Sequence, residues 1–354
     1  MAKNGRPTMA DVAATAGVSL STVSLTYSGA GPISPEMKAR VEKAAATLHY
    51  GGPSAVGRAL RSGRSRVIGV VIHDSLTLAF RAPLILQIMD GLISDLGDMG
   101  LGVLLLTSPS GMPEENSLLE TAPMDAAVLL RVRDHDEPAL EILRRRGIPI
   151  VVMDGPPPAG AGVVTIDDGA ATVDLIRHLR DLGHERIGTV TLPISPRGET
   201  VVRTRDEYAE SAWAPTQRRL KAFDEAGIEP CVIVGARESL VEEGIAAGHL
   251  ALTHESRPTA LVVQSDQLAA GVILAARELD IRVPHDVSIT GFDGLNLPWL
   301  SPLELTTVVQ DGEKKGHALA AEVKALLAGE SPEPAFTPLT FRQGNTTGRV
   351  NPDR

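Results

Sequence analysis

The chain has little cysteine and few aromatic residues: its 354 residues include one Cys, two Trp, three Tyr and five Phe. The single cysteine, Cys231, excludes a disulfide framework and any zinc site that needs several cysteines. No apolar run approaches the roughly 18 residues of a membrane span. The N-terminus has no signal-peptide apolar core, so we expect a cytoplasmic protein without a membrane partner. The core must be built mainly from Ala, Val, Leu and Ile.

Enzyme signatures are absent as well. The sequence has no GxGxxG, no GxxxxGK[ST], no HExxH and no GxSxG. The nine histidines form no metal spacing. The run His73-Asp74-Ser75 contains the residue types of a catalytic triad, but neighbours on a strand point to opposite faces. We therefore predict no catalytic residue, no cofactor and no metal, which disfavours an α/β enzyme.

Charge is distributed unevenly along the chain. Taken as an average over the whole chain, the net charge of −10 argues against binding to nucleic acid. Residues 1–66, however, hold nine Lys and Arg against three Asp and Glu, a net of +6, and the remainder carries −16. This asymmetry predicts a basic module joined to an acidic body.

The first fifty residues predict three short helices. Thr8 is suited to cap the first helix, with Asp11 as its capping-box partner. Gly17 ends that helix and Ser19 starts the second, while Ser34 precedes a proline that favours a third helix start. A helix, a glycine turn and a second helix that begins with hydroxyl residues suit phosphate binding and major-groove reading.

From residue 67 onward, short apolar runs alternate with helical patterns, which predicts parallel sheets covered on both faces. Nine strands are many for one sheet, so we expect two α/β lobes. The predicted strands cover residues 67–72, 102–106, 126–130, 148–153, 163–166, 186–190, 231–234, 260–263 and 287–291. The polar stretch 193–215 is predicted as a loop, either a lid or a mobile insertion.

Several motifs resemble the bacterial LacI/GalR transcriptional regulators. The head motif is Asp11-Val12-Ala13, Ala16-Gly17-Val18-Ser19 and Thr22-Val23-Ser24. The resemblance continues through Pro53-Ser54-Ala55-Val56-Gly57-Arg58-Ala59-Leu60-Arg61, Ile166-Asp167-Asp168, Ser265-Asp266-Gln267 and Gly291-Phe292-Asp293. It implies an N-terminal all-α helix-turn-helix head and an α/β two-lobed core like that of periplasmic binding proteins, with parallel sheets flanked by helices.

The resemblance also implies a domain organisation. Residues 1–50 would be the head, 51–65 a hinge helix or linker, 66–343 the effector-binding and dimerisation core, and 344–354 a tail. Within the core, lobe 1 would comprise about 66–165 and 310–330, and lobe 2 about 166–309 and 336–343. Three chain crossings would join the lobes.

The resemblance assigns DNA-contacting roles. Leu20, Ser21 and Leu25 fall on base-reading positions, and Leu25 can pack on a thymine methyl but cannot pair with guanine. Leu60 falls on the position that inserts into the minor groove at the centre of a pseudo-palindromic operator. The remaining predicted DNA contacts are Thr8, Ser19, Thr22, Ser24, Ser28, Arg58 and Arg61.

An effector site is expected beyond the carboxyl ends of the strands. Asp154, Arg219, Asp293 and Gln310 fall on effector-contacting positions of the family, although Arg218 could take the place of Arg219. Four further residues are candidates for the effector site because they follow predicted strands: Asp74, Ser75, Arg131 and Ser265. Trp299 and Phe80 are candidate stacking residues that could equally belong to the core.

These observations predict a homodimeric, operator-binding regulator, a repressor, controlled by a sugar or related metabolite that binds between the lobes. The alternative is a small-molecule sensor without DNA function. The basic head with its capped helix-turn-helix disfavours that alternative.

Overall fold

The computed structural model describes residues 7–29, 31–53, 63–73, 76–108, 117–130, 132, 137–194, 198–209 and 213–351. The chain divides into two compact units, Met1–Arg66 and Val67–Arg354, called here the head and the body.

The described residues of the head form three helices: α1 (Met9–Ala16), α2 (Leu20–Ser28) and α3 (Pro35–Thr47). The predicted caps are confirmed. Thr8 and Asp11 form a capping box, Gly17 ends α1 at φ +62°, and Ser19 caps α2. Ser34 caps α3, whose first residue is a proline. The local sequence therefore specifies where each of these helices begins.

The core of the head is small and aliphatic. Val12, Val23 and Val41 come from the three different helices and are fully buried. Alanines of α1 and α3 pack around them, with Met9, Val18, Leu48 and Tyr50 partly buried at the edge. A core of this size gives marginal stability, so one buried charge is enough to unfold it.

The body contains thirteen strands in its described residues. They are β1 (Val67–His73), β2 (Gly102–Ser108), β3 (Ala126–Leu129), β4 (Ile150–Met153), β5 (Gly162–Thr165), β6 (Ile187–Thr191), β7 (Val201–Val202), β8 (Ile233–Gly235), β9 (Ala260–Val263), β10 (Ser288–Asp293), β11 (Thr306–Gln310), β12 (Ala335–Phe336) and β13 (Leu339–Arg342).

Ten helices of the described body connect or flank these strands. They are α4 (Leu76–Ala79), α5 (Pro83–Asp98), α6 (Leu118–Thr121), α7 (Pro138–Arg145), α8 (Asp168–Asp181), α9 (Asp206–Ala209), α10 (Ala214–Glu225), α11 (Val241–Leu252), α12 (Asp266–Glu278) and α13 (Gly312–Ala328). Among the described residues, a 3₁₀ turn, Pro298–Leu300, follows β10.

The strands form two sheets, one in each lobe. The first lobe has the order β12-β5-β4-β3-β1-β2 and is parallel throughout. The second has the order β13-β11-β10-β9-β6-β8-β7, in which only the two edge strands β13 and β7 run antiparallel to their neighbours. The predicted fold class is confirmed.

The chain passes between the lobes three times, after β5, after β11 and after β12. Helix α13 follows β11 and packs on α5 of the first lobe. Phe336 pairs with Thr165 at the edge of the first sheet, whereas the sequence analysis assigned residue 336 to the second lobe. A two-residue edge strand leaves too short a pattern to be assigned from sequence.

All nine predicted strands are present, but the stretch 193–215 is not a simple loop as predicted. It contains the short strand β7 and the single-turn helix α9. These elements are too short for a periodic pattern. His184 follows the left-handed Gly183 at the end of α8, as expected. It is also buried, with its ring nitrogens on Thr259 and Ser288.

Each lobe contains one very close helix pair. In the first lobe, a Cβ added to Gly91 of α5 would lie 2.2 Å from the Glu313 carbonyl oxygen of α13. In the second, a Cβ on Gly244 of α11 would lie 2.3 Å from the Leu268 carbonyl oxygen of α12. Glycine is required at these positions because the neighbouring backbone occupies the space of a side chain.

Candidate functional site

The second helix of the head presents an exposed face. Val23 is the only buried residue of α2, so one side chain anchors this helix in the core of the head. Leu20 is 52% exposed and Leu25 is 37% exposed, and Ser21 is exposed between them in sequence. Two exposed leucines on a nine-residue helix are costly in water. This face therefore suits contact with another molecule.

Hydroxyl groups cluster at the N-terminus of α2. The Ser19 Oγ lies 2.7 Å from the Ser21 Oγ and 2.8 Å from the Thr22 Oγ1, and it accepts the Thr22 backbone N–H at 3.1 Å. The amide groups of a helix start and these hydroxyl groups together favour an anion such as phosphate. Ser24 lies half-buried one turn later, and Ser28 is exposed at the last residue of the helix.

Thr8 has a structural task in the free head. Its hydroxyl donates to Asp11 Oδ2 at 2.7 Å, and Asp11 accepts the Thr8 backbone N–H at 2.8 Å. A phosphate contact through the Thr8 hydroxyl would require its proton to turn away from Asp11.

Arg40 was not singled out from the sequence. Its Nη2 donates to the Ala16 carbonyl oxygen at 2.7 Å, which ties α3 to the end of α1 just before the turn. The sequence shows only a basic residue on α3, with no sign that it contacts a helix end.

In the body, a cavity of about 160 Å³ lies among the carboxyl ends of strands from both lobes. Its polar lining comes from Asp154, Thr216, Arg219, Ser239, Gln267, Asp293 and Gln310. Its apolar lining comes from Ala82, Pro83, Leu84, Ile85, Leu130, Val132, Met153, Leu192, Trp213, Pro215 and Leu295. Apolar residues predominate, as in most small-molecule sites.

One chain of contacts joins the two predicted carboxylates of the cavity. The Lys315 ammonium contacts Asp154 Oδ2 and donates to Gln310 Oε1 at 3.2 Å. The Gln310 amide nitrogen in turn donates to Asp293 Oδ1 at 2.7 Å. Lys315 was missed in the sequence analysis, because a lysine in a helix pattern is normally assigned to the surface.

Both carboxylates lie on unusual backbone. Asp154 has φ +56° and Asp293 has φ +124°, in the region that favours glycine. Asp154 Oδ1 is buried and has no hydrogen-bond partner among the described residues. Strained backbone and an unpaired polar atom in one cavity are typical of a binding site.

The Asp293 carboxyl has a pKa close to neutral pH. Burial and the charge of neighbouring Asp266 raise its pKa to about 7, against the lowering effects of Arg219, Gln310 and Lys315. Asp266 itself has a pKa raised to about 6, mainly by burial. The cavity therefore holds a carboxyl that can donate or accept a hydrogen bond near pH 7.

The two adjacent arginines of α10 have different places. Arg219 lines the cavity, is 4% exposed, and lies over the Phe292 ring at 3.6 Å. Its Nε donates to Asp168 Oδ2 at 3.2 Å. Arg218 also pairs with Asp168, but it is not among the described residues that line the cavity. The geometry therefore favours Arg219 over Arg218 as the cavity residue.

Three candidate residues are not among the residues that line the cavity. Ser265 does not line it: its Oγ accepts the Leu268 N–H at the start of α12 and bonds to Ser239, which does line the cavity. Trp299 and Phe80 are 49% and 59% exposed and lie outside the lining. Trp213, which the sequence analysis passed over, is the aromatic residue of the described lining.

Contacts near the cavity also join the lobes. The Arg81 guanidinium, after α4, pairs with Glu242 of α11, and the Arg81 carbonyl oxygen accepts from Gln267 at 3.2 Å. Ala82 and Pro83, the next two residues, line the cavity. This contact therefore lies next to the lining.

Six predicted site residues lie outside the described part of the chain: Arg58, Leu60, Arg61, Asp74, Ser75 and Arg131. Within the described part, no group of three or more His, Cys, Asp or Glu is placed to hold a metal ion. No described helix is both long and apolar enough to cross a membrane.

Two family models match the chain. Residues 8–52 match "Bacterial regulatory proteins, lacI family", and residues 176–347 match "Periplasmic binding protein-like domain". The first match covers the three head helices, and the second covers most of the second lobe and the crossings after β11 and β12.

Similar proteins span nearly the same length. An HTH-type transcriptional regulator of Mycolicibacterium smegmatis is 33% identical over 327 residues, which is 88% of each chain. The HTH-type transcriptional regulator IpsA of Corynebacterium glutamicum is 30% identical and covers 97% of this chain and 98% of its own. The repressor PurR of Yersinia enterocolitica is 30% identical over 92% of each chain.

Solved structures agree in fold. A lac repressor dimer bound to operator and the anti-inducer ONPF superposes with a TM-score of 0.77 at 23% identity, over 97% of this chain and 100% of the other. A CelR–cellobiose complex gives 0.68 at 24% identity, over 96% and 100%. A helix-turn-helix head, a two-lobed periplasmic-binding-protein-like body and full-length relatives agree, and the chain belongs to the LacI/GalR family of DNA-binding bacterial transcriptional regulators.

Proposed function

We propose that this regulator is a homodimeric repressor in the cytoplasm. Its affinity for a pseudo-palindromic operator would be controlled by a small molecule, a sugar or related metabolite, bound in the body cavity. We further propose the division into a head (1–50), a hinge (51–65), a two-lobed core (66–343) and a tail (344–354). The repressor PurR among its relatives supports the sign of the regulation.

The observation that carries the proposal is the composition of the cavity wall. Asp154 comes from the first lobe, Arg219 and Asp293 come from the second, and Gln310 stands where the chain crosses between them. A ligand that contacts all four would bind differently when the lobes change their angle. By linkage, that ligand shifts the equilibrium between lobe arrangements.

On the DNA side, the exposed face of α2 supports base reading by Leu20, Ser21 and Leu25. Thr8, Ser19, Thr22, Ser24 and Ser28 are proposed to face the backbone phosphates. For Arg58, Leu60 and Arg61 the proposal rests on the family resemblance alone. Leucines at two reading positions favour thymine methyl groups over hydrogen-bonded bases in the operator.

The lining also suggests the kind of ligand. The carboxylates, Gln310 and Arg219 suit hydroxyl groups, because charge-assisted hydrogen bonds are strong. Trp213, Met153 and Leu295 suit an apolar face. The solved CelR complex holds the disaccharide cellobiose. A sugar with an apolar face, or a nucleoside, fits this combination better than a plain hexose does.

A titration of operator DNA, with and without cavity ligands, tests the proposal directly. Operator fragments are selected from genomic DNA with the purified full-length protein. Sugars and nucleosides that raise the melting temperature are then added to an anisotropy titration. We expect at least one such compound to change operator affinity about 5-fold or more. Stabilising compounds that leave operator affinity unchanged would contradict effector control.

Replacing Asp293 by Asn should separate stability from ligand binding. Burial raises the pKa of this carboxyl, so at pH 8 the folded protein holds an ionised group that the unfolded chain solvates better. Asn keeps an oxygen for Gln310 and removes that cost. We expect a higher melting temperature at pH 8 and a smaller gain at pH 6, together with about tenfold or greater loss of affinity for the compound found above.

The control for this variant is Asp286→Asn, a substitution in the loop before β10. The Asp286 pKa is lowered by its pairing with Arg282, so its replacement should reduce stability and leave ligand affinity unchanged. An Asp293→Asn protein with unaltered ligand affinity would remove Asp293 from the proposed site.

A further inference from the structure

Lys315 is a buried cation at the cavity. The side chain is 1% exposed on α13, and its ammonium contacts two residues of the cavity lining, Asp154 and Gln310. A buried ammonium is costly unless it is paired and hydrogen-bonded. Its place in the body therefore depends on these two polar groups.

The ammonium also orients its neighbours. Lys315 has only donors, so it fixes the Gln310 side-chain oxygen toward itself and turns the amide nitrogen to Asp293. The ammonium contacts Asp154 Oδ2. The other oxygen, Oδ1, is buried and has no hydrogen-bond partner among the described residues. One side chain thus positions polar groups from both lobes.

Two carboxylates at this end of the cavity are paired with cations. Asp168 pairs with Arg218 and Arg219, and Asp154 pairs with Lys315, while Asp293 has a hydrogen bond from neutral Gln310. Asp154 and Asp168 therefore have ion-pair partners in Lys315, Arg218 and Arg219. Asp293 lies near Asp266 and is partly protonated near pH 7, because its pKa is raised to about 7. An amine that enters this cavity finds Asp154 already paired with Lys315.

We infer that Lys315 determines which ligand charge the cavity accepts: it supplies Asp154 with an internal cation, so the cavity selects neutral, hydroxyl-bearing ligands over amines. The inference rests on the proposed function in taking this cavity as the ligand site. It deepens that function by naming the charge class. Hydroxyl groups would donate to Asp154 Oδ1, and the apolar wall around Trp213 would take the rest of the molecule.

Three probes of equal length test the inference on the full chain: n-butylammonium chloride, 1-butanol and sodium butyrate. Dissociation constants are measured by ligand-observed NMR at constant ionic strength. In Lys315→Met, Asp154 faces the cavity without its cation. We expect this variant to bind n-butylammonium at least about tenfold more tightly than 1-butanol. The unmodified protein should show no preference for the ammonium.

Asp154→Asn provides the reciprocal arm and keeps the test usable if Lys315→Met does not fold. Here Lys315 remains without its carboxylate, so sodium butyrate should bind at least about tenfold more tightly than 1-butanol. The double variant, which lacks both charges, should lose both preferences. An unchanged order of affinities in either single variant would overturn the inference.

These measurements are independent of DNA. If operator binding proves insensitive to every cavity ligand, the proposed function fails while the charge preferences can still be present. If the charge preferences are absent while a neutral ligand still alters operator affinity, only the role of Lys315 fails.

Discussion

Val23→Asp is expected to abolish operator binding while the melting transition of the body stays in place. Val23 is the one fully buried residue of α2, and it packs with Val12 and Val41. An unpaired carboxylate in that position costs several kcal/mol. That cost exceeds what a three-helix core of this size can supply. Operator affinity should fall at least about 100-fold, a loss of roughly 2.7 kcal/mol or more.

Ala46→Asp is the matched control. It adds the same charge to the head on an exposed position of α3. It should therefore weaken DNA binding only by the electrostatic contribution of one charge, with a changed salt dependence. Calorimetry of both variants should show the same body transition, because the head and the body are separate compact units. Loss of the body transition in Val23→Asp would show that the head and the body unfold as one unit.

The head was predicted closely because its signals are local. Thr8, Ser19 and Ser34 cap helices within three residues of themselves, and Gly17 ends a helix by its own backbone freedom. Such features depend only on residues that are close in the sequence. The nine apolar strand patterns depend on nearby residues in the same way.

The cavity was predicted less completely because its features depend on distant parts of the chain. Lys315 lies 161 positions from Asp154, and only the fold brings them together. Trp213 and Phe80 are both aromatic residues near predicted loops, and sequence alone could not tell that only Trp213 faces the cavity. The pattern of Ser265 fits a ligand contact and a helix cap equally well, and the structure shows the cap.

The charge difference between head and body follows the division of the chain into two compact units. The +6 of residues 1–66 belongs to a unit with its own core, and the −16 belongs to the body. Within the body, Asp154 and Asp168 near the cavity are paired with Lys315 and the two arginines. The acidity of the body therefore lies mainly outside the proposed ligand site.

Gly91→Ala is expected to destabilise the body, whereas Gly97→Ala, six residues later on the same helix, is expected to stabilise it. A Cβ at Gly91 would lie 2.2 Å from the Glu313 carbonyl oxygen, so α5 and α13 must move apart. Overpacking of this kind costs about 1–3 kcal/mol, and more where backbone meets backbone. A Cβ at Gly97 meets nothing within 4 Å, so only the helix-propensity gain of up to about 1 kcal/mol remains.

The consequence of Gly91→Ala reaches the cavity because α13 carries Lys315. Moving α13 away from α5 shifts the ammonium relative to Asp154, which directly follows β4 of the first sheet. Chemical denaturation should therefore show a lower unfolding free energy for Gly91→Ala and a higher one for Gly97→Ala. Only the first variant should lose affinity for the cavity ligand. Equal stabilities for the two variants would mean that the close contact between α5 and α13 does not persist in solution.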